Sequence, residues 1–143
     1  MARLKINLPE KKLATVSVPV RITDINFGNH VANSAIVEII HEARVQFLQK
    51  HNFTELDVAG AALIMSELLV EYKRESFYKD SLEVTIFCGE VSKVAFELFY
   101  QISANRNRQE ILIALAKTGM VCFDYKMKKV IAVPEELKSI LRL

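Results

Sequence analysis

Asp24, Asn26, His30 and Asn33 fall within ten residues, in the run Asp24-Ile25-Asn26-Phe27-Gly28-Asn29-His30-Val31-Ala32-Asn33, and Glu42 follows on a helix-patterned segment. A carboxylate can take a proton or attack an electrophile, an imidazole can orient or polarise a reacting group, and an amide can position water. The run joins a strand to a helix start, where unpaired backbone N–H groups attract developing negative charge. Each residue also has an architectural reading. Asp24 at a strand end can cap a turn, Asn26 and Asn29 beside Gly28 are turn formers, and His30 can hold the loop through its backbone. Glu38 and Glu42 stand at i,i+4, a like-charge spacing that is unfavourable unless another group compensates. Glu42 is therefore either part of a solvated or subunit-facing surface or a carboxyl of raised pKa. Arg44 reads as structural. His41-Glu42 does not extend to a zinc helix, because H-E-x-x-H needs a second histidine where Val45 stands.

The elements that must position these residues follow from periodicity. Lys12 to Thr23 is rich in Val, Ile and Thr and predicts a strand, with Pro19 favouring a sheet edge or a bulge. From Asn33 or Ser34 to about Lys50, Ile36, Ile39, Ile40, Ala43 and Phe47 recur at helical spacing, and Val37 and Leu48 widen the stripe. Asn33 or Ser34 can cap this helix. Ala62 to Glu75, Leu82 to Val91, Val94 to Ala104 and Glu110 to Tyr125 predict four further strands joined by short turns. A short C-terminal helix begins at Pro134, a favoured first helical position, and runs to the end. One long helix followed by consecutive strands is not a doubly wound pattern. The economical α+β solution is an antiparallel sheet wrapped around one long central helix, the hotdog fold.

Composition narrows the function. The 143 residues fit a single domain spanning 1–143, and a chain of this length buries about two-thirds of its unfolded surface. The chain is 51% hydrophobic and 25% charged, with a net charge of +2, too small to argue for nucleic acid. Met1 to Glu10 lacks the apolar region of a secretory leader, and no run of apolar residues is long enough to span a membrane, so a cytoplasmic protein is expected. Cys88 and Cys122 fall in predicted strands without CxxC spacing and read as buried, reduced side chains.

Arg21, Asp24, His30, Val31, Asn33, Glu42, Ala43 and Arg44 together resemble the signature R-x-x-D-x-D-x-x-G-H-V-N-N followed by E-A-R of hotdog acyl-CoA thioesterases of the 4-hydroxybenzoyl-CoA thioesterase type. Glu71-Tyr72 to Val84 is similar to the same family's second strand, turn and third strand. The resemblance implies hydrolysis of an acyl-CoA thioester, with coenzyme A as part of the substrate, no separate cofactor and no metal. In that family the second aspartate acts at the thioester as nucleophile or base, and here its position holds Asn26, which can do neither at neutral pH. The family glycine before the histidine is Asn29, and the first asparagine after the valine is Ala32. The acid role then passes to Asp24, two residues upstream, or to Glu42. Asn26 would position water or the thioester, His30 would orient or polarise, and the helix start at Ala32-Asn33 would offer oxyanion donors.

Coenzyme A also needs cations for its phosphates. Arg74 stands among the candidates at strand ends, and Lys93 occupies a turn where similar thioesterases carry a basic residue. Leu63, Met65, Leu68 and Phe96 are candidates for an acyl site that sequence does not separate from the core. Hotdog domains of this type share their site between subunits, and so apolar a chain is expected to form a homodimer or a homotetramer. Two other readings stay open. An R-specific enoyl-CoA hydratase of the same fold uses D-x-N-P-x-H, which Asp24, Asn26 and His30 approach with one extra residue and no proline. A non-catalytic acyl-CoA binding domain would be consistent with Asn26.

Overall fold

In the computed structural model, residues 3–142 are described. Met1, Ala2 and Leu143, the ends of the segments read above as lacking a leader and as the C-terminal helix, lie outside them. Strand β1 (Lys12–Pro19) leads through a 3-10 turn (Ile22–Asp24) to helix α1 (Asn33–Gln49). Four long strands follow: β2 (Ala62–Tyr72), β3 (Ser81–Val91), β4 (Ala95–Arg106) and β5 (Gln109–Asp124). A two-residue β6 (Lys129–Val130) and helix α2 (Glu135–Ile140) complete the order. The strands lie in the order β1-β3-β4-β5-β2, every pair is antiparallel, and β6 adds to the end of β5. This is the expected hotdog arrangement.

Helix and sheet meet through alternating faces. Ala35, Ile36, Ile39, Ile40, Ala43 and Phe47 are buried on α1, opposite every second residue of β3 and β4, including Val84, Ile86, Leu98 and Ile102. At about 25 cal/mol per Å² of apolar surface, each of the Ile, Val, Leu and Phe side chains adds roughly 2 kcal/mol before entropy is counted. The helix carries one buried ion cluster on this face. Arg44 donates through Nε to Glu55 Oε2 (2.7 Å) and through Nη1 to the Tyr100 hydroxyl (3.2 Å), and that hydroxyl shares a hydrogen bond with Thr118 (2.7 Å). The arrangement supports the structural reading of Arg44: removing it would take from Glu55 its buried cation and from the Tyr100 hydroxyl one of its two partners.

The structure departs from the expected elements at points that matter for the site. β1 stops at Pro19 rather than Thr23. Proline cannot donate to a ladder, and beyond it Val20 N–H donates to Asp80 O (3.1 Å) as the chain leaves the sheet edge. β2 stops at Tyr72 rather than Glu75, so Lys73 to Asp80 is a loop. The N-cap of α1 is Ala32, without a side-chain capping bond, and not Asn33 or Ser34. Pro134 is likewise the N-cap of α2 rather than its first helical residue. The sheet covers only one side of α1: Glu38, His41 and Glu42 remain exposed and Val37 is half-buried. Cys88 and Cys122 are free and buried, and burial pushes the Cys122 thiol up to about 11.

Candidate active site

The strand-to-helix junction is built in two stages. First, the 3-10 turn is closed by Asp24. Its Oδ2 accepts from the Arg21 backbone N–H (2.8 Å) and side-chain Nε (3.4 Å), and its Oδ1 accepts from Arg21 Nη2 (3.0 Å). The Asp24 side chain is only 2% exposed, while Arg21 reaches out to solvent at 63%. Asp24 O also accepts from Ala32 N–H (2.9 Å), which fastens the turn to the helix start. The carboxylate expected to act as base or nucleophile thus has both oxygens committed to Arg21.

Second, residues 25–31 form a tight hairpin. Ile25 bridges to Val31, Asn26 N–H donates to His30 O (2.9 Å), and Asn29 N–H donates to Asn26 O (3.1 Å). Asn29 takes a left-handed φ of 66°, which its side chain tolerates, in agreement with its reading as a turn former. Asn26 Oδ1 accepts from Gly28 N–H (2.9 Å). A Cβ on Gly28 would stand 3.2 Å from His30 Nε2 and 3.4 Å from Asn26 Oδ1, so glycine lets amide and imidazole approach across the turn. The hairpin is sewn to the β2–β3 loop by Val31 N–H donating to Ser76 O (2.7 Å).

His30 therefore faces a carboxylate that the spacing along the chain did not suggest. Its Nδ1 lies 3.2 Å from Val31 O, and a carbonyl can only accept, so the proton sits on Nδ1. Nε2 stands 3.9 Å from Glu75 Oε1. Both groups open onto a cavity of about 290 Å³ also lined by Asn33, Ile36, Tyr72 and Arg74. The Tyr72 hydroxyl donates to Asn33 O (2.8 Å) and ties the end of β2 to the first residue of α1. Burial raises the Tyr72 phenol above its ordinary pKa, so the donor keeps its proton. Among the described residues no acceptor meets the N–H groups of Asn33 or Ser34. An uncapped helix start beside a cavity is a ready donor pair for an anion or a developing oxyanion.

The remaining candidates separate. Glu42 lines a different groove of about 570 Å³ with Arg21, Asp24, Glu38, Val45 and Gln46, and accepts from Gln46 Nε2 (2.8 Å). It faces solvent on the uncovered side of α1, as in its surface reading, and does not line the His30 cavity. Arg74 is exposed at the cavity mouth and, among the described residues, pairs with no carboxylate. Lys93 lies in the β3–β4 turn, at the far end of eleven-residue β3, roughly 30 Å away at about 3.3 Å per residue. Lys93 and Arg74 therefore cannot hold one coenzyme A phosphate group within a single chain. Leu63 and Phe96 belong to the buried core, whereas Met65 and Leu68 line a smaller cavity of about 260 Å³ beside Val37 and Ile40. Glu75 and Tyr72 were missed by sequence reasoning. Their signal lies in tertiary pairing, because 45 positions separate Glu75 from His30 and the Val31–Ser76 and Tyr72–Asn33 bonds bring their segments together.

Comparison with known proteins places the chain in a family. Residues 20–141 match the model of the Thioesterase-like superfamily. A curated protein of Aquifex aeolicus, provisionally named an esterase, is 26% identical over 114 residues, which cover 78% of this chain and 84% of that protein. Among solved structures, the 1,4-dihydroxy-2-naphthoyl-CoA thioesterase of Synechocystis superposes with a TM-score of 0.78 at 22% identity, over 89% of this chain and 93% of its own. An Asp-to-Asn variant of 4-hydroxybenzoyl-CoA thioesterase, complexed with 4-hydroxybenzoyl-CoA, gives 0.79 at 14% identity, over 90% and 97%. At such identities these structures carry the fold, and the family match carries the assignment: the chain belongs to the Thioesterase-like superfamily and has its hotdog fold.

Proposed function

We propose that the protein hydrolyses the thioester bond of an acyl-CoA to a free acid and a thiol, at the cavity beside His30. The observation that carries this reading is the uncapped start of α1 next to an imidazole that opens onto the same cavity. A thioester carbonyl placed there would meet the Asn33 and Ser34 N–H groups as its oxygen becomes negative, and one such donor is worth about 3 kcal/mol of barrier. Arg74, exposed at the mouth, supplies a cation for a phosphate of coenzyme A. The hydratase reading required Asp24 and His30 to act together, and Asp24 is fastened to Arg21 outside this cavity. The purified protein, offered acetyl-, octanoyl- and benzoyl-CoA with a thiol reporter, is expected to release thiol, and His30→Ala is expected to lower kcat about a hundredfold. Tight binding of acyl-CoA without thiol release would favour a binding domain instead.

A further inference from the structure

Hydrolysis needs a group to take a proton from water, and the expected candidates do not provide one. Asn26 is an amide, Asp24 is committed to Arg21, and Glu42 lines another groove. The geometry points to a base assembled from two distant segments: His30 Nε2 takes the proton, and Glu75, from the β2–β3 loop, stabilises the imidazolium that forms. This inference rests on the thioesterase reading and specifies how that site works. Val31 O holds the Nδ1 proton, so the neutral ring, the form able to act as a base, presents Nε2 as an acceptor facing another acceptor, Glu75 Oε1, at 3.9 Å. A water lying between them can donate one hydrogen to each. Once Nε2 is protonated, the same two groups become an ion pair. The attraction is therefore absent before reaction and present in the transition state, the condition for accelerating the chemical step rather than tightening binding.

The step balances as follows. The water oxygen bonds to the thioester carbon, its proton passes to His30 Nε2, and the carbonyl electron pair moves to the oxygen held by the α1 N–H groups. On collapse the C–S bond breaks, sulfur leaves with its electron pair, and it takes the proton from His30 to give the thiol. The freed acid leaves the site unchanged. Glu75 is suited to this role because its backbone is fixed while its side chain is free. Glu75 O accepts from Arg106 Nη2 (2.9 Å), the neighbouring Ser76 O accepts from Val31 N–H, and the carboxylate is 64% exposed towards the cavity mouth. Arg74 and Lys73 also line this cavity, but Lys73 Nζ is paired with Glu71 Oε2 (2.8 Å).

Glu75 acts through His30, so the test is a double-mutant cycle on the full chain with the acyl-CoA panel. Glu75→Gln is expected to lower kcat about ten- to a hundredfold with KM changed by less than about threefold. Glu75→Asp should recover part of the loss, and Glu75→Gln added to His30→Ala should cost nothing further. Thermal unfolding of Glu75→Gln should match wild type, because the side chain is exposed. A wild-type rate in Glu75→Gln, or losses that multiply in the double variant, would overturn the role of Glu75 while leaving the thioesterase reading intact. Wild-type protein that releases no thiol from any acyl-CoA would overturn both.

Discussion

Among single residues, the decisive contrast is between two carboxylates. Asp24 carries the resemblance and is readable from sequence, yet its oxygens close the 3-10 turn and its side chain is 2% exposed. Glu75 carries no signature and faces the imidazole. Asp24→Asn should therefore keep kcat within about threefold of wild type while lowering the melting temperature, since the amide retains one acceptor but loses the charge facing Arg21. Asn26→Asp offers the complementary test. The new carboxylate keeps the Oδ1 acceptor used by Gly28 N–H and lies across Gly28 from His30, so the turn survives. In a Glu75→Gln background it should restore part of the lost kcat; no recovery would mean that a carboxylate on this side of the ring does not help. His30 and Asn33 were legible as candidates because strand end, turn and helix start follow from local periodicity, and Arg74 as a cation at a strand end; the three line one cavity. The sequence left the identity of the acid partner unreadable, because that depends on which distant loop is bonded to Val31.

At the level of elements, the β2–β3 loop positions the proposed chemistry and is itself held by one ion pair. Asp80 accepts from Arg106 Nη2 (2.6 Å) and Nε (3.2 Å), from Phe77 N–H (2.9 Å) and from the Ser76 hydroxyl (2.8 Å). Arg106 also stacks over Phe77, 4.9 Å from the ring centre, and reaches Glu75 O. Burial alone would raise the Asp80 carboxyl, but Arg106 and the two local donors outweigh it and hold the group below the usual carboxylate range. A carboxyl depressed on folding stabilises the fold fully above its unfolded pKa of about 3.9, and that contribution fades as the pH falls through the lower folded value. Asp80→Asn should therefore cost about 1 kcal/mol near pH 7, a modest figure for a partly screened pair, and progressively less below about pH 4. Urea unfolding at the two pH values measures the difference; an equal cost at both would exclude the charged pair as its source. The same variant should lower kcat, because the loop carries Glu75. Long elements were legible because α1 and β2 to β5 repeat their apolar residues at clear periods. The ends of β1 and β2 were not: beyond Pro19 the chain turns to bond Asp80, and beyond Tyr72 the Lys73 and Arg74 N–H groups both converge on Ile113 O.

In the whole molecule, no further strand among the described residues pairs with either edge of the sheet. β1 forms one edge and ends in Pro19, which blunts it, whereas β2 forms the other with eleven residues and no proline. Along β2, Met65 is 41% exposed and Leu68 is half-buried, and with Val37 and Ile40 of α1 they line an apolar cavity. A second copy pairing along this edge would cover the cavity and the exposed flank of α1 together, and it supports the expectation of a homodimer or a homotetramer. Light scattering over a dilution series should give a multiple of the chain mass, and a wild-type monomer at all concentrations would reject the assembly. Met65→Lys with Leu68→Lys should shift the population to monomer, because burying two ammonium groups in that interface is costly. The effect on catalysis should then be asymmetric. His30, Glu75 and the start of α1 belong to one chain, whereas Tyr72, at the end of β2, links that edge to the cavity wall through Asn33. If pairing along β2 closes the cavity beside Tyr72, the monomeric variant should raise KM more than it lowers kcat, since His30, Glu75 and the helix start stay together in one chain. A kcat loss as large as that of His30→Ala would instead mean that the second copy contributes directly to the chemistry.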